Sequence, residues 1–191
     1  KWRATRWWGV DIGDRELVVW ASPIEASAQD RLRAWRDRLL RSSFVNAKDL
    51  SFSALEALLA RIRAERPTML FAYTGALVRL SRLMEAKGWT LALPELKVIF
   101  VTTERLDDAD RALIARRLGA PVANGYGGRD AGFLAHDCPS GGMHLTAEDV
   151  IVELLDESGR AVAPGQPGEV VVTHLASGDA PFIRYRTGDI A

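Results

Sequence analysis

Three short stretches combine residue types that can do chemistry. In "NGYGGRD", residues 124–130, glycines surround one tyrosine, and an arginine and an aspartate follow at once. An aromatic ring beside side-chain-free backbone suits the stacking of a planar base. Arg129 offers a fork of donors that matches phosphate, and Asp130 offers a carboxylate able to hold a divalent cation. The run is not GxGxxG, and it reads equally as a glycine-rich turn with a solvated arginine and aspartate. In "RYRTGD", residues 184–189, Asp189 follows Gly188 and can accept hydrogen bonds from two adjacent sugar hydroxyls. The other reading is a strand that ends in a Thr-Gly-Asp turn. In "HDCPSGGMH", His136, Cys138 and His144 lie close together in sequence. Structural zinc needs four ligands, so a buried thiol with two surface or pocket histidines accounts better for these three. No G-x-S-x-G elbow, HExxH pair or phosphate-binding P-loop occurs.

These stretches must be positioned by regular elements, and the hydrophobic pattern supplies them. "ELVVWAS", "SSFVNA", "TMLFAY", "LKVIFVTT" and "PVANGYG" read as strands. Between them, residues 26–41 place Leu32, Trp35 and Leu39 on one helical face. "SFSALEALLARIRAERP" spaces Leu55, Leu58, Leu59 and Ile62 as a helix, with Ser53 and Glu56 in a capping-box pattern. Two further helices should end at Gly88 and Gly119. Such alternation predicts an α/β fold with a mainly parallel sheet flanked by helices, whose ligands sit beyond the carboxyl ends of the strands. "NGYGGRD" leaves the sheet at that edge. From about residue 140 the helical period vanishes and Ser-Gly, Pro-Gly and Ser-Gly-Asp turns break apolar runs. An antiparallel, barrel-like subdomain is expected there, giving domains of 1–140 and 141–191.

Bulk properties narrow the class. The 191 residues can bury a sizeable core, and 48% hydrophobic with 26% charged residues is ordinary for a globular protein. Lys plus Arg (25) balances Asp plus Glu (25), so no overall field points to nucleic acid or an anionic membrane. One cysteine, Cys138, excludes an internal disulfide and fits a reducing, cytoplasmic setting. No apolar run spans a bilayer and no signal peptide is evident. The first residues, with Trp2, Trp7 and Trp8 uncovered, look like the last turns of a helix, and the chain stops two residues after "RTGD". It reads as a piece of a longer chain.

Together the motifs resemble the adenylate-forming superfamily, in its phenylacetate–CoA ligase-like branch, which includes proteins of capsular polysaccharide biosynthesis. "NGYGGRDAGFLAHDC" is similar to the family's "YGxTE" segment, and "GQPGEVVVTHLASGDAPFIRYRTGD" to its stretch ending in "TGD". "VIFVTTERL" resembles a strand end carrying "GE", and "RPTMLFAYTGALVRLSRLM" a helix entry. The resemblance implies that Asn124, Gly125 and Tyr126 lie along adenine, with Tyr126 stacked on the base and Gly127 allowing close approach. It implies that Thr103 and Glu104 lie near adenine and that Asp189 holds the ribose hydroxyls. Arg129 falls at the position that contacts the α-phosphate and Asp130 at the magnesium-associated one, the two catalytic assignments. Phe44, Phe71 and Tyr73 fall in the acyl-pocket region, although core packing accounts for buried aromatics equally well.

The implied cofactors are ATP or AMP, Mg2+ and coenzyme A, and the partners are small molecules, a carboxylic acid among them. In the implied reaction the carboxylate attacks the α-phosphate of ATP, giving an acyl-adenylate and pyrophosphate; a thiol then attacks the activated carbonyl. An aryl acid is implied by the branch. The sequence departs from the family at Arg129 (more often Thr), Asp130 (Glu) and Thr103 (Gly). The family's phosphate loop is expected before residue 1 and its C-terminal lid domain, with the adenylation lysine, after residue 191. The expected parent is thus a ligase, with this piece alone inactive. The alternative is a non-catalytic nucleotide- or acyl-adenylate-binding homologue linked to polysaccharide biosynthesis. A dinucleotide-dependent oxidoreductase lacks its GxGxxG here.

Overall fold

The computed structural model describes residues 2–21, 35–128, 131–176 and 182–191. The chain forms two compact units, one of residues 1–124 with 138–140 and the other of residues 125–137 with 141–191.

The first unit is built on parallel strands β1 (Glu16–Trp20), β2 (Ser42–Asn46), β3 (Met69–Tyr73), β4 (Val98–Thr102) and the beginning of β5 (Val122–Gly128), in the order β2-β1-β3-β4-β5. In-register pairs such as Val18↔Phe71 and Phe71↔Phe100 align the strands so that their carboxyl ends share one edge. Period-2 alternation then sorts side chains onto two faces. Leu17, Val19, Leu70, Ala72, Ile99 and Val101 meet the apolar stripes of helices α2 (Phe52–Glu65), α3 (Thr74–Ala86) and α4 (Asp108–Leu118). On the opposite face Met69, Val98, Phe100 and Ala123 pack with Ala4, Trp7 and Trp8 around α1 (Trp2–Trp7). Both faces are therefore covered, and every residue of β4 is buried, which is why its sequence is an unbroken apolar run.

The helix termini follow their local chemistry. Asp107 caps α4, its carboxylate accepting from Asp110 N–H at 2.8 Å, and Gly119 ends it at φ +74°. Gly88 takes φ +67° just past α3, as expected. The N-cap of α2 is Ser51, whose Oγ accepts from Ala54 N–H, and not the expected Ser53. The helix starts two residues earlier because Asp49 holds both the backbone and the hydroxyl of Ser51. Of the expected helix over residues 26–41, Leu32 lies outside the described residues. Residues 35–39 are helical, but Trp35 and Leu39 are 76% and 72% exposed. The side turned inward is that of Asp37 and Leu40.

In the second unit the end of β5 pairs antiparallel with β6 (Gly132–Asp137), and β6 with β7 (Met143–Leu145). A meander of β8 (Val150–Leu155), β9 (Glu169–His174) and β10 (Tyr185–Ile190) forms a three-stranded antiparallel sheet in the order β10-β9-β8. Its core joins Ala131, Leu134, Val150, Val170 and Val172, with Tyr126 packed against them. A mostly parallel sheet flanked by helices, followed by an antiparallel sheet, is the expected fold class.

Candidate functional site

In the second unit, Tyr126 and Asp189 meet. They are 63 residues apart, yet the Tyr126 hydroxyl donates to Asp189 Oδ2 at 2.8 Å. The turn that carries Asp189 is locally organised: Gly188 takes φ +81°, Asp189 N–H donates to Thr187 Oγ1 at 3.1 Å, and Thr187 Oγ1 donates to Val170 O at 2.9 Å. Asp189 is exposed and Tyr126 half-buried. Burial, together with the bond to Asp189, pushes the Tyr126 phenol up to about 12, and Thr187 opposes this only in part. The phenol therefore stays protonated, and a donor, well above neutral pH.

Gly127 has a reason of its own. A Cβ there would run into the Gly132 carbonyl oxygen and lie 2.9 Å from Phe133 Cα, so the close approach it permits is that of β6. The ladder shifts register between Tyr126 and Gly127, a bulge that turns the strand end. Gly125 is buried opposite His136.

In the first unit, the carboxyl edge of the sheet gathers the other assigned residues. Tyr73 and Thr102 are register partners, and Thr103 and Glu104 follow directly on β4. Thr103 sits at φ +74°, a left-handed conformation that glycine adopts freely and a β-branched residue rarely does. The chain thus makes a glycine-like turn at Thr103. Glu104 turns back to α3: Gly75 N–H donates to its carboxylate, and Thr74 Oγ1 donates to its backbone oxygen at 3.2 Å. Tyr73, the residue before α3, makes no side-chain cap, so Glu104 satisfies a donor that the helix leaves open. A Cβ on Gly75 would lie 2.7 Å from Glu104 Oε2. Asn124 is half-buried on β5, directly before Gly125.

Of the three aromatics assigned to an acyl pocket, Phe44 and Phe71 are both register partners of Val18, on the strands to either side of it. Tyr73 stacks on Trp20 with centroids 4.2 Å apart, and Phe71 stacks on the same ring at 5.7 Å. Phe44 lines a cavity of about 380 Å³ with Trp2, Glu16, Leu40 and Ser42. Glu16 and Ser42 begin β1 and β2, so this cavity reaches the amino edge of the sheet. Trp20 escaped sequence reasoning, and its signal was a large ring closing a strand at the edge where ligands gather. The helix-capping role of Glu104 had no local signal, because its partner Gly75 is 29 residues away.

Arg129 and Asp130 lie outside the described residues. His136 is buried, Cys138 half-buried and His144 exposed, so the thiol is less enclosed than expected. Among the described residues no group of three or more His, Cys, Asp or Glu is placed to hold a metal ion. Among them, too, no helix is long and apolar enough to cross a membrane.

By sequence, the chain matches no protein-family model and no curated protein. Solved structures do resemble it. An open conformation of 2-hydroxyisobutyryl-CoA ligase in complex with 2-HIB-AMP and CoA superposes with a TM-score of 0.74 at 20% identity, covering 98% of this chain and 42% of that one. A long-chain-fatty-acid-CoA ligase from Archaeoglobus fulgidus gives 0.66 at 20% identity, over 98% and 42%. The amide bond synthetase McbA from Marinactinospora thermotolerans gives 0.63 at 22%, over 93% and 39%. The chain therefore spans well under half the length of these proteins, and at such identities the likeness establishes its fold alone, as part of the fold that these ligases share.

Proposed function

We propose that this chain is the nucleotide-binding part of an ATP-dependent carboxylic acid–CoA ligase of the phenylacetate–CoA ligase-like branch. The observation that carries the reading is the hydrogen bond between Tyr126 and Asp189, 2.8 Å long. Two motifs far apart in sequence, one assigned to the base and one to the ribose, converge on one point of one unit. The structural likeness to acid–CoA ligases supports the same reading.

In this mechanism the Tyr126 ring lies against adenine and Asp189 accepts from the ribose hydroxyls. The carboxylate of the acid attacks the α-phosphorus of ATP. The new bond is carboxylate oxygen to phosphorus, and pyrophosphate leaves with the electron pair of the broken P–O bond. In the second step the thiol sulfur of coenzyme A attacks the acyl carbon and AMP leaves, while the thiol proton passes to solvent. The chain's contribution to both steps is positioning, exclusion of water and charge stabilisation. Arg129 would offset charge at the phosphorus, and Asp130 would face the Mg2+ that accompanies ATP. An aryl acid is the proposed substrate, because flat rings pack well on a stacked tryptophan–tyrosine pair.

The test is carboxylate-dependent exchange of labelled pyrophosphate into ATP, run on the full-length protein with a panel of aryl, hydroxy and fatty acids. Exchange with an aryl acid is expected. Asp189→Ala should lower it on the order of a hundredfold, since two hydrogen bonds to a charged group are lost. Arg129→Ala should slow turnover more than it weakens ATP binding. A folded protein that binds ATP yet exchanges with no acid would sink the ligase reading in favour of a non-catalytic nucleotide binder.

A further inference from the structure

The Tyr126 hydroxyl has no part in base stacking, yet it is not idle. It donates to Asp189 Oδ2 at 2.8 Å, and Asp189 is otherwise an exposed carboxylate on a six-residue strand, β10. An exposed aspartate rotates freely about its side-chain bonds, and fixing it in one orientation removes an entropy loss that ligand binding would otherwise incur. Tyr126 itself is anchored, because its ring packs against the second unit's core of Ala131, Leu134, Val150, Val170 and Val172. The backbone of Asp189 is tied from the other side through Thr187, whose hydroxyl accepts from Asp189 N–H and donates to Val170 O. A core-anchored ring, a tied turn and one carboxylate oxygen engaged leave Oδ1 with no hydrogen-bond donor among the described residues.

We infer that Tyr126 is a positioning residue for Asp189, holding its carboxylate so that the remaining lone pairs accept from the two adjacent hydroxyls of a ribose. This rests on the nucleotide reading above and deepens it, giving one side chain two tasks: the ring for the base and the hydroxyl for selection of the sugar. An ionised carboxylate has about four acceptor sites, so one donor from tyrosine leaves room for a cis-diol. The phenol is well suited to the task, since burial and the bond to Asp189 keep it protonated far above neutral pH. Discrimination between a ribonucleotide and a 2′-deoxyribonucleotide is then a property of the Tyr126–Asp189 pair.

The experiment is equilibrium binding of AMP and 2′-deoxy-AMP to the full-length protein, by calorimetry, for four forms: wild type, Tyr126→Phe, Asp189→Asn and the double variant. Wild type should prefer AMP by at least tenfold, the usual size of a hydrogen bond to a charged group. Tyr126→Phe keeps the ring and should reduce that preference several-fold, weakening AMP, which offers Asp189 two hydroxyls, more than 2′-deoxy-AMP, which offers one. Asp189→Asn should abolish most of the preference, and adding Tyr126→Phe to it should change nothing further, because the tyrosine acts through the aspartate. A purely structural role for Tyr126 would weaken both nucleotides equally and leave the preference intact, which overturns the inference. So would additive losses in the double variant. Absence of AMP binding by folded wild-type protein would instead overturn the nucleotide reading on which the inference stands.

Discussion

At the scale of single residues, backbone conformation and protonation carry the sharpest consequences. Thr103 holds φ +74°, which disfavours any side chain with a Cβ by about 1–2 kcal/mol, and branching at Cβ adds to the crowding. Glycine removes that strain and restores some freedom to the unfolded chain, which offsets part of the gain. Thr103→Gly should therefore raise stability by up to about 1 kcal/mol, seen as a higher urea midpoint at unchanged slope. Tyr126 makes the pH prediction. Its folded value is raised to about 12 from 10.0, so its contribution is complete below pH 10 and is lost as pH climbs towards 12. The difference in phenolate absorbance between wild type and Tyr126→Phe should show a titration centred near pH 12. A midpoint near 10 would mean that the phenol is neither buried nor held by Asp189 as the structure has it.

At the scale of elements, two close approaches carry the architecture. β5 and β6 come together at Gly127, where any Cβ would collide with backbone and not with a flexible side chain. Gly127→Ala should thus cost about 3 kcal/mol, as overpacking against immobile atoms does, whereas Gly128→Ala, with nothing within 4 Å, should cost far less. Thermal melts of the pair decide this. The second approach is between the end of β4 and the start of α3. Glu104 accepts from Gly75 N–H and so caps a helix that Tyr73 leaves uncapped. Glu104→Ala should lose about 1 kcal/mol of stability. Glu104→Gln retains an acceptor and should recover part of it. Much of this was legible beforehand. The five parallel strands and their helices follow from hydrophobic period, while the α2 cap is Ser51 and not Ser53, with Asp49 accepting from the Ser51 backbone and hydroxyl.

At the scale of the whole molecule, a ligand bound only by the folded state stabilises it by mass action. If AMP occupies the Tyr126–Asp189 site, AMP at a hundred times its Kd should add about 2.7 kcal/mol to the full-length protein, and Asp189→Ala should remove most of that increment. A differential scan with and without AMP reads both. Equal shifts in the two proteins would place the nucleotide elsewhere. In the first unit, parallel strands present their carboxyl ends on one edge, and irregular segments leaving that edge are free to bind. Thr103, Glu104 and Tyr73 leave β4 and β3 at that edge.

What the amino-acid order determined alone is the local and the periodic. Apolar runs specify strands, 3.6-residue stripes specify α2 and α3, and Gly119 marks the end of α4, because each depends on neighbours within a few positions. The motif residues were equally visible, since "NGYGG" and "RTGD" are contiguous. Tertiary structure alone decided who meets whom. That Tyr126 donates to Asp189 and that Glu104 caps a helix 29 residues back both depend on strand order and register. It also decided the meaning of a glycine. Gly127, which the resemblance gave as allowing close approach, meets the Gly132 carbonyl on the side where a Cβ would stand. A missing side chain records that something comes close, and only the folded chain shows what does.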